Sequence, residues 1–286
     1  MVKSTTMGSE HDGRIFVAGD VHLGADNADA GAFDDFLDTI RRETTGRDRF
    51  VLLGDVWDLV RRDPFGCAFE TSETITRIKR LSERIPVHSV LGNHDACLSN
   101  LDVDRYDVQF HDQHVLESGG ERIRFCHGQS FDAFHSEALS NYLSGPGDRG
   151  DIDPTRGRKD PVVAKGREVL QGAKRHLRTA VGALQGRDEV APVAFPRRER
   201  RAHAYLETIP EDKLVFGHTH APYVHPDNVV ANPGSWKTTA PVHNTYLVIE
   251  DGNIELFRHR AAGVNEPLPD ASVVRNAGAG RGHSSA

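Results

Sequence analysis

The sequence predicts an α/β sandwich, and three observations carry that prediction. Short apolar strands alternate with amphipathic helices early in the chain, hairpin signals gather late, and 37% of the 286 residues are apolar, enough for one substantial core. A collagenous, disordered or disulfide-stapled chain is excluded. Residues 1–12 are polar and are expected to fray. Arg14–Ala18, Phe50–Leu53, Val87–Leu91, Ile123–Cys126 and Leu214–Phe216 each read as a buried strand that stops at a His, Gly or Asp. Phe33, Phe36, Leu37 and Ile40 recur at helical spacing and predict a helix over Ala32–Ile40. Ile75, Ile78, Leu81 and Ile85 do the same for Ser72–Ile85. Tyr246–Ile249 and Ile254–Phe257 flank Asp251-Gly252-Asn253 and predict a hairpin. The folded domain is expected to span 13–260, with a loose Gly/Ala/Ser-rich tail over 261–286.

Charge and cysteine usage narrow the function classes. The net charge of −7 does not describe a nucleic-acid coat. No apolar run approaches the roughly 18 residues of a membrane span, and Met1–Gly13 lacks an apolar leader. Cys67, Cys97 and Cys126 are odd in number and lack CxxC spacing. They point to a reducing, cytoplasmic setting rather than a disulfide framework or a cysteine-based zinc site. One segment differs in kind: Arg149–His203 holds 14 Lys/Arg against 7 Asp/Glu, so the rest of the chain carries about −14. Within it Val162–Leu184 reads as a helix with Lys165, Arg167, Lys174, Arg175 and Arg178 on its polar side. That side is either a solvated face or a basic cap over an anionic substrate.

Five short motifs follow in order, each at the end of an expected strand: Asp20-Val-His22, Gly54-Asp55-Val-Trp-Asp58, Gly92-Asn93-His94-Asp95, His127-Gly128 and Gly217-His218-Thr-His220. Strand ends are where α/β folds gather functional groups, because the loops there converge on one edge of the sheet. Asp, Asn and His are hard to borderline donors suited to Mn²⁺, Zn²⁺, Fe or Ni²⁺. In Asp20-x-His22 and His218-x-His220 the alternation puts both side chains of a pair on one side of an extended chain.

This ordered set resembles the calcineurin-like metallophosphoesterase superfamily over about residues 14–258. The resemblance implies a four-layer α/β/β/α sandwich and two divalent ions about 3.5–4 Å apart; residues 137–210, where nothing specific matches, read as a basic helical insertion. Mn²⁺ is the expected ion, with Zn, Fe, Ni or Mg as alternatives. Carried over position by position, Asp20, His22, Asp55 and His220 would hold the first ion. Asp55 would bridge, and Asn93, His127 and His218 would complete the second site. The ions would polarise the phosphoryl oxygens and supply hydroxide at neutral pH. His94 would assist the leaving oxygen and Asp58 would orient His94, although an N-cap role also suits Asp58. Asp95 reads as a turn or cap residue.

Asn232-Pro233-Gly234-Ser235 is a turn signal, with Asn232 and Ser235 taken as structural. Cys126 is expected to pack in the core. His11, His88, His111, His114, His225, His243, His259 and His283 are expected at the surface, and His135 could reach the cleft from a helix.

Gly19-Asp20-Val-His22-Leu23-Gly24, Leu53-Gly54-Asp55-Val-Trp-Asp58, His127-Gly128 with Phe131-Asp132, and Gly217-His218-Thr-His220-Ala-Pro resemble the UDP-diacylglucosamine pyrophosphohydrolase group. Where that group commonly has Asp after His-Gly, this chain has Gln129. The implied reaction is hydrolysis of a phosphodiester or pyrophosphate bond in a small anionic phosphate-containing substrate. The alternatives are a DNA repair-type nuclease of the same superfamily and a phosphomonoesterase. Substrate-contacting residues and oligomeric state are not read from the sequence.

Overall fold

The computed structural model describes residues 13–100, 107–131, 197–260 and 263–268. The expected helix Val162–Leu184, His11, His135, His283 and the chain past 268 lie outside the described residues.

Among the described residues, twelve strands form two sheets. The first four are β1 (Ile15–Ala18), β2 (Arg49–Leu53), β3 (Val87–Val90) and β4 (Val108–His111), followed by β5 (Gln113–Ser118) and β6 (Glu121–Cys126). Then come β7 (Lys213–Phe216), β8 (Tyr223–Val224), β9 (Val230–Asn232), β10 (Thr245–Glu250), β11 (Asn253–Arg260) and β12 (Val264–Pro267). One sheet runs β12-β11-β10-β1-β2-β3-β4 and the other β5-β6-β7-β9-β8. The strands β1 to β4 are parallel, and β10 to β12 extend their sheet antiparallel. This is the mixed α/β sandwich the alternation predicts.

Period-2 alternation divides the core. Phe16, Ala18, Phe50, Leu52 and Val87 face two helices, α1 (Ala30–Glu43) and α3 (Ser72–Ser82). Ile15, Val17, Val51, Leu53 and Val90 pack with Ile123, Phe125, Val215 and Ala231 of the second sheet. Helix α1 starts where the Asp29 side chain accepts from the Ala32 amide (3.2 Å) and ends with Arg41 and Arg42 in its last turn. Its expected stripe of Phe33, Phe36, Leu37 and Ile40 is buried. In α3 only part of the stripe is buried: Ile78 and Leu81 go in, but Ile75 stays exposed, and Ile85 is buried beyond the helix end. Between them a short helix, α2 (Pro64–Glu70), is capped by Asp63 and leaves Phe65 and Phe69 exposed. A fourth helix, α4 (Arg197–Leu206), lies on β7 and β9 with Ala202 fully buried, which completes four layers.

Two elements bear on the expected boundaries. Helix α4, which falls within the expected 137–210 insertion, packs on the second sheet with Ala202 buried. The folded domain also continues past 260, since β12 pairs with β11 from Arg260↔Val264 to Phe257↔Pro267. Among the described residues β12 is the sheet edge, where a strand tolerates proline. The β10–β11 hairpin is as expected: Glu250 pairs with Asn253, and Asp251 and Gly252 both take positive φ (48° and 80°), the signature of a tight turn of type I′.

Candidate metal centre

The fold brings the five motifs to one mouth. Strands β1, β2, β3, β6 and β7 all stop within two residues of the start of a motif. The connecting backbone is tied across strands: Asp20 N–H donates to Gly54 O (2.9 Å), His22 N–H to Asp55 O (2.9 Å) and Gly217 N–H to His127 O (2.9 Å). Gly54 sits at φ +74°, and a Cβ there would collide with the His127 ring. The expected turn braces the same mouth. Ser235 Oγ donates to Asp20 O (2.9 Å), and Asn232 Nδ2 donates to Gly217 O (3.0 Å).

Backbone strain concentrates here. Nine non-glycine residues have positive φ among those described, and five of them are Asp20, His22, Asp55, His218 and His220. Each such residue costs about 1–2 kcal/mol, a cost that clusters at functional sites when the surroundings over-determine it.

The side chains at this mouth form three groups of candidate ligands, of which His22–Asp58–His94 shares His22 with another. In Asp20–His22–His220 and in Asp55–His127–His218, the donor atoms all lie within 4.8 Å of one another. His22 Nε2 and His220 Nε2 are 3.1 Å apart. Asp20 Oδ1 lies 3.3 Å from His220 Nε2, while Asp20 Oδ2 accepts from the His218 amide at 2.7 Å. Asp55 Oδ2 stands between the groups, 3.2 Å from His127 Nε2 and 3.8 Å from His22 Nε2. Asp55 Oδ1 accepts from the His94 amide at 2.7 Å.

These residues fit a metal. Asp20 Oδ1, His127 Nε2 and Asn93 Oδ1 are buried and make no aligned hydrogen bond, a costly arrangement for groups of this polarity. The set is anionic and tightly coupled. Burial alone would raise the Asp55 pKa, but His127, His94 and His22 hold it well below the carboxylate range. Burial alone would lower His127, but Asp55 and Asp20 raise it above the ordinary imidazole value.

His94 and Asp58 stand beside this set. His94 Nδ1 lies 2.8 Å from Asp58 Oδ1, and His94 Nε2 faces Asp55 Oδ2 at 3.8 Å. Asp58 is fully buried, and Arg61 donates to its Oδ2 at 2.8 Å. Burial opposes ionisation of Asp58, but His22, His94 and Arg61 hold its pKa far below the usual range. Asp95 takes the turn role expected of it: Oδ1 accepts from Gly92 N (2.7 Å) and Oδ2 from Val56 N (2.8 Å), pinning two motif loops together.

Sequence reasoning missed two cations at this mouth. Arg61 follows Asp58 by three residues, a spacing that could have signalled it. Lys237 arrives from a distant loop through a bridge to Ala28 and is buried. Burial and Arg61 lower its pKa against the pull of Asp58, Asp20 and Asp55. Two of the histidines expected at the surface are buried instead. His259 bridges Asp35 (3.1 Å) and Asn265 (3.3 Å) against Phe36, and His88 lies on the inner face of β3.

Fold and site together define the class: a phosphoester hydrolase. A family model of calcineurin-like phosphoesterases matches residues 13–222, and the chain belongs to that family. It is similar to the UDP-2,3-diacylglucosamine hydrolase of Shewanella sp. (strain MR-7), at 25% identity over 224 residues, 74% of this chain and 84% of that protein. The enzyme of the same name from Shewanella baltica (strain OS155) is 35% identical over 86 residues, 30% of this chain and 34% of that protein. Among solved structures, Vacuolar Protein Sorting 29 from Cryptosporidium parvum aligns with a TM-score of 0.45 at 15% identity, covering 91% of this chain and 97% of that one.

Proposed function

We propose that the chain hydrolyses a phosphodiester or pyrophosphate bond in a small anionic substrate of the UDP-sugar kind, with two divalent ions at the mouth of the sandwich. The observation that carries this reading is the position of Asp55 Oδ2 between the two donor groups, with a hydrogen-bonded His94–Asp58 pair alongside. Asp20, His22, Asp55 and His220 would hold one ion, and Asp55, Asn93, His127 and His218 the other. Their carboxylate, amide and imidazole donors suit Mn²⁺ and its first-row neighbours. When bound, such ions supply charge that polarises the phosphoryl oxygens and lowers the pKa of water toward about 7.

The chain's own groups do the rest. Water forms the new bond to phosphorus, and the P–O bond to the leaving group breaks. Asp58 holds the His94 ring through Nδ1, so that Nε2 can pass a proton to the departing oxygen. Arg61 and Lys237 place positive charge beside the anionic substrate. The Shewanella relatives are named for a UDP-linked substrate, which supports a nucleoside diphosphate sugar over a protein phosphate. Three free cysteines, two of them buried, agree with a cytoplasmic setting.

Metal-stripped protein reconstituted with Mn²⁺ and offered bis-p-nitrophenyl phosphate, p-nitrophenyl phosphate, UDP-sugars and single-stranded DNA tests this reading. The diester or the UDP-sugar is expected to dominate. Dominant DNA cleavage would establish the nuclease, and dominant monoester cleavage the phosphomonoesterase.

A further inference from the structure

Three histidines that the hydrolytic site leaves unused meet where the two sheets close at one edge. Strand β4 is the edge of the seven-stranded sheet and β5 the edge of the five-stranded sheet. The two are joined through Asp112 alone. His88 on β3 shares the parity of Val90, which faces the second sheet. His111 pairs in register with Val90, so it lies on the same face. From the other side, His114 shares the parity of Leu116, which packs into the inter-sheet core.

The three rings are in direct contact. His88 Nδ1 is 3.4 Å from His111 Nε2. The His114 ring stacks on His88 and His111 with centroids 4.2 Å and 4.0 Å away. One donor atom from each ring lies within 4.8 Å of the others. Tetrahedral ions with metal–nitrogen bonds of about 2.0–2.1 Å separate their nitrogen ligands by about 3.3–3.4 Å, which the His88–His111 pair already matches. His114 Nε2 is buried with no hydrogen-bond partner, an acceptor or donor that packing alone leaves unused.

We propose that His88, His111 and His114 form a further metal site, sharing no residue with the candidate metal centre, that takes one Zn²⁺-like ion and clamps the two sheet edges together. All-imidazole donors select Zn²⁺, Ni²⁺ or Cu²⁺ over the oxygen-loving Mg²⁺ and Mn²⁺. The partly exposed rings of His111 and His114 leave an entry side for the ion and a fourth ligand. The rings are also in the right form. Burial, the neighbouring His111 and Arg49 push His88 down to about 4, and burial, His88, His111 and Arg49 do the same for His114, so both present neutral nitrogens at pH 7.

The test loads metal-stripped protein with Mn²⁺, then adds Zn²⁺ and counts metal per chain by mass spectrometry after desalting. Wild type should hold one more Zn²⁺ than His111→Gln or His114→Gln, and both variants should cleave bis-p-nitrophenyl phosphate within about twofold of wild type. Carbethoxylation of wild type alone supplies a second reading should the variants misfold: Zn²⁺ should protect His111 and His114, and Mn²⁺ should not. Equal Zn²⁺ content in wild type and folded variants, or no protection of those two residues by Zn²⁺, overturns the proposal.

Discussion

His94 and Asp55 occupy neighbouring positions yet should fail in different ways. His94 belongs with His22 and Asp58 to a third group of close donors, but its Nδ1 is already engaged by Asp58 at 2.8 Å, which ties the ring to a carboxylate rather than to an ion. His94→Ala should therefore lower kcat on bis-p-nitrophenyl phosphate by about 10²-fold or more, the ordinary worth of a positioned acid, with metal content unchanged. Full activity in that variant would remove His94 from the reaction. Asp55→Asn keeps the shape but replaces the shared anionic oxygen with a neutral amide, and Oδ2 is the atom that faces both donor groups. Metal content per chain should fall at both sites together, and loss of only one ion would mean that Asp55 does not bridge. These residues were legible in the sequence because strand–loop motifs repeat a short grammar of Gly, Asp, Asn and His. Lys237, the buried His259 and the His88 cluster were not, because their burial depends on partners from distant strands that no local pattern announces.

At the scale of elements, one buried carboxylate joins the start of β1 to the turn before β2. Asp48 accepts from the backbone N–H of Arg14 (2.8 Å) and of Thr45 (2.8 Å) and from the Arg14 guanidinium (3.1 Å), and it is only 2% exposed. Asp48→Ala should destabilise the protein by about 1.5–3 kcal/mol, the cost of orphaning charge-assisted hydrogen bonds. Burial raises the Asp48 pKa, but Thr45 and Arg14 outweigh it and hold it below the ordinary 3.8. A depressed folded-state pKa contributes stability above the unfolded value and loses it as pH falls through the folded one. Urea unfolding should thus show the full gap between wild type and Asp48→Ala at pH 6, shrinking once the pH drops below 3.8. A gap independent of pH would mean the carboxylate acts only by packing. The strands that sequence reading found are the buried apolar ones. It missed β4 and β5, whose mixed polar faces are normal for sheet edges, the two- and three-residue β8 and β9, too short to show a period, and β12, where Pro267 disguises an edge strand. It missed α4 as part of the sandwich because Ala202 and Glu199 carry its burial amid arginines.

Over the whole molecule, the basic excess divides into two parts. Residues 146–196 hold ten basic against seven acidic residues, whereas 197–203 hold four against one, and the latter lie on α4 against the second sheet. The basic charge of 149–203 is therefore partly a property of the sandwich itself. Arg201 donates to Phe131 O at 2.8 Å, so the described residues on either side of 132–196 meet in space, and a variant with a Gly/Ser linker in place of 146–196 tests what that segment does. If that segment caps the substrate, the deletion should leave metal content intact and bis-p-nitrophenyl phosphate turnover within about threefold of wild type. The same deletion should lower kcat/KM for a UDP-sugar by about tenfold or more, because binding energy from the non-reacting part of a substrate drives the chemical step. Equal loss on both substrates with metals retained would place 146–196 in the catalytic machinery, and unchanged UDP-sugar hydrolysis would leave that segment a solvated appendage. The four basic residues on α4 remain in the deleted protein, so whatever attraction for anions survives there, read as a fall in kcat/KM with added salt, belongs to the sandwich and not to the insertion.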